Sequence, residues 1–141
     1  MITKWYLPER DSAAALRIRA GYAPPAVLTH LHSVELTTAW HAKVFRREID
    51  LETVVQVLAD LERDVEDGLW ESPAYDLVEV HDAAERLARR YAAVLSARSL
   101  DILHVAAAMR LDKTDFVTAD RNQGALAKAA GLEVTLLSAR R

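Results

Sequence analysis

Phe116-Val-Thr-Ala-Asp120 is a short apolar run that ends on an acid, and the helical pattern of Arg121 to about Ala130 follows it directly. Gly131 supplies the stop of that helix, and a last strand is expected near Glu133 to Leu136. Strand, helix and strand, with each strand a continuous apolar run, indicate a parallel pair covered on both faces. Just upstream, Arg98-Ser-Leu-Asp-Ile-Leu-His-Val-Ala-Ala-Ala-Met109 places Asp101 at the entrance to an apolar, alanine-rich helix. Together these segments predict an α/β fold with a central parallel sheet flanked by helices.

The same alternation extends outward. Pro8 to Ala20 reads as a helix, with Pro8 in its first turn and Gly21 at its end. Ala26 to Thr29 is a short buried strand, and from Leu31 to Phe45 the apolar residues recur at helical spacing. Asp50 caps a further helix to about Val65, whose core face is expected at Leu51, Val54, Val55, Leu58 and Leu61. Gly68 to Pro73 breaks that helix and holds a candidate strand. Asp76 to Ala97 is a long helical segment with Val78, Ala83, Leu87, Tyr91 and Leu95 on its buried side. No repeat or interdomain linker interrupts the pattern, so one domain over residues 1–141 is expected.

Lys plus Arg total 18 and Asp plus Glu total 21, a net charge of −3. This is no polycationic nucleic-acid binder, although a local basic patch can still hold a phosphate backbone. The chain has no cysteine, which excludes disulfides and thiolate metal sites. No apolar run approaches the roughly 20 residues that span a bilayer, and the N-terminus lacks the layout of a signal peptide. A cytoplasmic location is the simplest expectation.

Glu35, Asp101 and Asp120 each lie in or beside an apolar stretch. An acid costs several kcal/mol to bury without a partner, so three in similar settings suggest a shared cation. Converging carboxylates repel by roughly 4 kcal/mol per pair at about 4 Å and an effective dielectric near 20. An oxygen-only site favours Mg²⁺, or Mn²⁺, over zinc, and water activated by such a metal can attack a phosphodiester. Taken singly, Asp101 and Asp120 read equally well as helix caps worth about 1 kcal/mol each.

Trp5-Tyr-Leu-Pro-Glu-Arg-Asp-Ser12, Val34-Glu-Leu36, Leu100-Asp-Ile-Leu-His-Val-Ala106 and Phe116-Val-Thr-Ala-Asp120 resemble, in order and interval, the landmarks of PIN-domain proteins. The nearest type is the VapC-like toxin of bacterial toxin–antitoxin pairs. The resemblance implies a three-layer α/β domain and an acidic, Mg²⁺-dependent ribonuclease site. In it Glu35, Asp101 and Asp120 match the second, third and fourth acids, and Thr118 matches a supporting hydroxyl. It also implies an RNA substrate, a homodimer and a VapB-like antitoxin partner.

One landmark departs from that pattern. Family members begin with an interior strand that ends in the first Asp, whereas this sequence opens on Met1-Ile-Thr-Lys-Trp5. The natural protein is therefore expected to start upstream, and the 141-residue chain alone to bind metal weakly and cleave little. The other class of reading keeps the fold and drops catalysis, leaving an RNA- or protein-binding module. Arg121 and Asn122, beside Asp120, and Lys43, Arg46 and Arg47, after the Glu35 helix, are candidates for RNA phosphates. Salt bridges, caps and solvated helix ends explain the same residues. His104 and the tryptophans Trp5, Trp40 and Trp70 are expected to pack rather than to bind.

Overall fold

The computed structural model describes residues 1–137, which pack as two compact units divided after Pro73, each around its own apolar core. The first contains α1 (Thr3–Tyr6), α2 (Ser12–Ala20), β1 (Ala26–Val27), α3 (His30–Phe45), α4 (Leu51–Glu66) and β2 (Trp70–Glu71). The second contains α5 (Leu77–Leu95), α6 (Ser99–Arg110), β3 (Asp115–Thr118), α7 (Arg121–Ala129) and β4 (Glu133–Leu136). The mixed α/β class is as expected, and both strand pairs, β1 with β2 and β3 with β4, are parallel.

The expected single central sheet is replaced, among the described residues, by two separate two-stranded sheets. The hydrogen-bond pattern explains where pairing stops. Ala26 and Leu28 donate their N–H groups to Leu69 and Glu71, so the intervening Val27 turns its backbone groups to the far side of β1. Likewise Thr114 and Thr118 accept from Glu133 and Leu137, which directs the Val117 backbone away from β4. No described strand pairs at either of those edges. Two-stranded pairs are marginal by themselves, so helix packing must hold each one.

In the first unit Leu28, Leu36, Trp40, Val54, Val57, Leu61 and Trp70 form the core. The face of α4 is rotated from the expected one: Val57 is buried, while Leu51 and Val55 are exposed. The apolar stripe of that helix is wide, with Val57 at one margin and Leu51 and Val55 at the other, and the core meets the Val57 side. Trp5 stacks on Trp70 at 5.1 Å between ring centroids, and Tyr6 meets Trp40 edge-on. Trp70 Nε1 donates to the Tyr6 hydroxyl at 2.8 Å, which donates to Asp64 Oδ2 at 2.6 Å, and Arg19 closes on the same oxygen at 2.8 Å. Burial and the hydrogen bond to Asp64 push the Tyr6 phenol well above its ordinary range.

The helix expected from Pro8 begins only at Ser12. Ser12 Oγ accepts the Glu9 N–H at 2.8 Å and donates to the Leu7 carbonyl, and Asp11 adopts a left-handed φ of 71°. That turn frees the Glu9 carboxylate to meet Lys43 at 2.8 Å and Lys4 at 3.3 Å.

In the second unit α5, α6 and α7 pack mutually around Val80, Ala83, Leu87, Val105, Ala106, Leu126 and Ala127. Val78, expected inside, is exposed because it sits in the first turn beside the Asp76 cap, and Val80 takes the buried place. Gly124 brings α7 against both strands of its sheet. A Cβ there would lie 3.4 Å from both Thr118 Cγ2 and Val134 Cγ1. Gly131, with φ of 95°, makes the left-handed stop between α7 and β4.

Candidate functional site

Asp120 follows the C-terminal end of β3 by two residues and is the N-cap of α7. Its Oδ1 accepts the backbone N–H groups of Asn122 at 2.7 Å and Gln123 at 3.1 Å. Its own N–H donates to Thr118 Oγ1 at 3.0 Å, and that hydroxyl donates to Gln123 Oε1 at 2.5 Å. Thr118 is buried and Asp120 exposed. Both side-chain bonds of Asp120 fall on one oxygen, and Oδ2 accepts no hydrogen bond among the described residues.

Asp101 is not the residue that opens α6. The helix starts at Ser99, and Asp101 is its third residue, with Oδ2 accepting the Arg98 N–H at 3.1 Å. It is half-buried. Its helix leads through residues 111–114 into β3, and it packs on α7, so the two acids lie at the N-terminal ends of neighbouring helices of one unit. His104, one turn further along α6, is buried among Ile102, Val105 and Ala107, as its packing role requires.

Glu35 belongs to the first unit and is exposed on the second turn of α3. That helix is capped by Thr29 and His32: His32 Nδ1 lies 3.1 Å from the Thr29 N–H and 2.8 Å from its hydroxyl. Burial pushes the Met1 ammonium below its ordinary value, opposed by the negative charge of Glu35.

These placements correct the premise that the acids are buried. Glu35 and Asp120 are exposed and Asp101 is partly so; the two aspartates serve as helix-end acceptors, the local role their positions allowed. Among the described residues no group of three or more His, Asp or Glu side chains is arranged to hold a metal. The donor chemistry still suits a hard cation, because among the described residues each of the two aspartates accepts hydrogen bonds on one oxygen only. Mg²⁺ needs only one or two carboxylates when water fills its remaining positions.

The basic candidates divide. Lys43 is held between Glu9 at 2.8 Å and Glu48 at 3.3 Å, and Arg46 pairs with Glu48 at 2.5 Å. Their charge is largely spent within the protein. Arg47 is exposed with a left-handed φ of 61°. Arg121 and Asn122 are exposed in the first turn of α7, and Arg121 has no ion-pair partner among the described residues. Trp40 and Trp70 are buried, which removes them as base-stacking platforms.

Gln123 is the residue the sequence reading passed over. Its signal was visible in Asp120-Arg-Asn-Gln123, an acid followed three residues later by Gln, the pattern of a capping box. Comparison of the chain with family models, curated proteins and solved structures found no match to any of them.

Proposed function

We propose that this chain is a PIN-like, Mg²⁺-dependent endoribonuclease of the VapC type, the toxin of a toxin–antitoxin pair, with Glu35, Asp101 and Asp120 as its acids. The observation that carries the reading is the position of Asp120. It stands just past the C-terminal end of a parallel strand, where ligands gather in α/β sheets, with one carboxylate oxygen unspent among the described residues. Asp101, at the start of the helix packed on α7, adds a second acid of the same kind. Arg121 and Asn122 are the residues best placed beside Asp120 to take an RNA phosphate. A bound Mg²⁺ would supply Lewis acidity for attack of water on the phosphodiester.

The finer fold belongs to the same proposal. It is a three-layer PIN-like arrangement in which the parallel pairs β1–β2 and β3–β4 supply sheet strands. A homodimer, a VapB-like antitoxin partner and a cytoplasmic location are assigned with it.

A second reading, a PIN-like module that binds RNA or protein without cleaving, is favoured by the lack of a three-acid cluster among the described residues. Expression of the gene separates the two. Growth arrest abolished by Asp101→Asn supports the nuclease; arrest that persists in the variant, or never occurs, supports the binding module.

A further inference from the structure

We infer that Gln123 is a positioning residue for Asp120, acting through the Thr118 hydroxyl. Three hydrogen bonds among Asp120, Thr118 and Gln123 form a closed ring. Asp120 N–H donates to Thr118 Oγ1 at 3.0 Å, Thr118 donates to Gln123 Oε1 at 2.5 Å, and Gln123 N–H returns to Asp120 Oδ1 at 3.1 Å. A hydroxyl that accepts a backbone N–H has its own proton to place, and in a buried position that proton needs an acceptor. The Gln123 amide oxygen supplies it, which also sets which end of the amide faces Thr118.

The Thr118 side chain is held on its other side as well. Its Cγ2 lies against α7 where Gly124 leaves room for it, at 3.4 Å from the position a Cβ would take. Methyl packing and the Gln123 bond together hold one Thr118 rotamer, and that rotamer holds the Asp120 backbone. The ring engages Oδ1 of Asp120, and among the described residues Oδ2 accepts no hydrogen bond. The ring stands on geometry alone; that the free oxygen faces a divalent cation rests on the proposed nuclease function.

Amide hydrogen exchange on the intact chain tests the ring without any ligand. Gln123→Met keeps the side-chain length and removes the acceptor, while Gln123→Glu restores an acceptor. Protection of the Asp120 amide is expected to fall about fivefold in Gln123→Met and to recover in Gln123→Glu, with Leu126, in the core of α7, unchanged in both. Retained Asp120 protection in Gln123→Met overturns the inference, as does an equal loss at Leu126, which would mark general destabilisation. Mn²⁺ titration provides the second readout. If the wild type binds Mn²⁺, Gln123→Met should bind it about fivefold more weakly, and unchanged affinity also overturns the inference. If the wild type binds none while the exchange result holds, the metal reading of Asp120 fails and the positioning role stands.

Discussion

Replacing Asp120 separates its structural role from its chemical one, because Asn and Ala differ in what they preserve. The carboxylate Oδ1 accepts two backbone N–H groups at the start of α7, at 2.7 and 3.1 Å. An Asn side-chain oxygen caps a helix about as well as Asp, so Asp120→Asn should cost only the charge's interaction with the helix end, roughly 0.3–0.5 kcal/mol. Ala offers no acceptor, and Asp120→Ala should cost about 1 kcal/mol, or roughly 3–4 °C in Tm for a chain of this length. Divalent-cation binding should fall at least about tenfold in both variants, since Asn presents a neutral oxygen in place of an anion and Ala presents none. Urea denaturation and Mn²⁺ titration on the same samples read the two effects separately. Equal destabilisation by Asn and Ala would refute the capping argument. Wild-type Mn²⁺ affinity in Asp120→Asn would refute the ligand assignment.

Glu9→Gln should cost about 1 kcal/mol near neutral pH, since Glu9 and Lys43 are both largely shielded and meet at 2.8 Å. Burial alone would raise the Glu9 carboxyl, but the hydrogen bonds and charges of Lys43 and Lys4 lower it overall, while the Glu9 contact raises Lys43. The pair's contribution should therefore be complete above the ordinary Glu value of 4.5 and fade as pH falls through the lowered folded value. At the alkaline end it should be complete below the ordinary Lys value of 10.5 and fade as pH rises through the raised one; a pH series of denaturation midpoints for wild type and Glu9→Gln reads both limits. Tyr6→Phe should cost roughly 1–2 kcal/mol in thermal unfolding, because it leaves the buried Trp70 indole N–H without its acceptor. Gly124→Leu should destabilise by roughly 1–3 kcal/mol, since even a Cβ is at close contact with Thr118 and Val134; a neutral result by calorimetry would mean that α7 can move off its sheet.

What could be read in advance follows the reach of each signal. Local chemistry was legible: the Asp50 cap, the long helix entered at Asp76, the strand of the Phe116–Asp120 run, the last strand near Glu133 to Leu136 and the Gly131 stop all stand close to where the sequence placed them. Each depends on a few neighbouring residues. The rotation of α4 was not legible, because it is decided by partners distant in sequence, among them Trp40 and Trp70. Nor was the short helix α1, whose four residues are held by the aromatic cluster rather than by helix periodicity. The acids illustrate the same division. The places of Asp101 and Asp120 near helix starts were readable, but the exposure of the acids was not, and exposure weakens the argument that burial demands a cation. Gln123 lay in a recognisable capping pattern, yet its bond to Thr118 depends on the β3–α7 turn closing as it does.

RNA cleavage by the purified protein tests the central claim most directly, measured with Mg²⁺ and with EDTA for the wild type and for Asp101→Asn. A PIN-like nuclease is expected to give Mg²⁺-dependent cleavage that EDTA abolishes and that Asp101→Asn loses. No cleavage by the wild type, or cleavage indifferent to EDTA and to Asp101, would contradict the nuclease assignment itself.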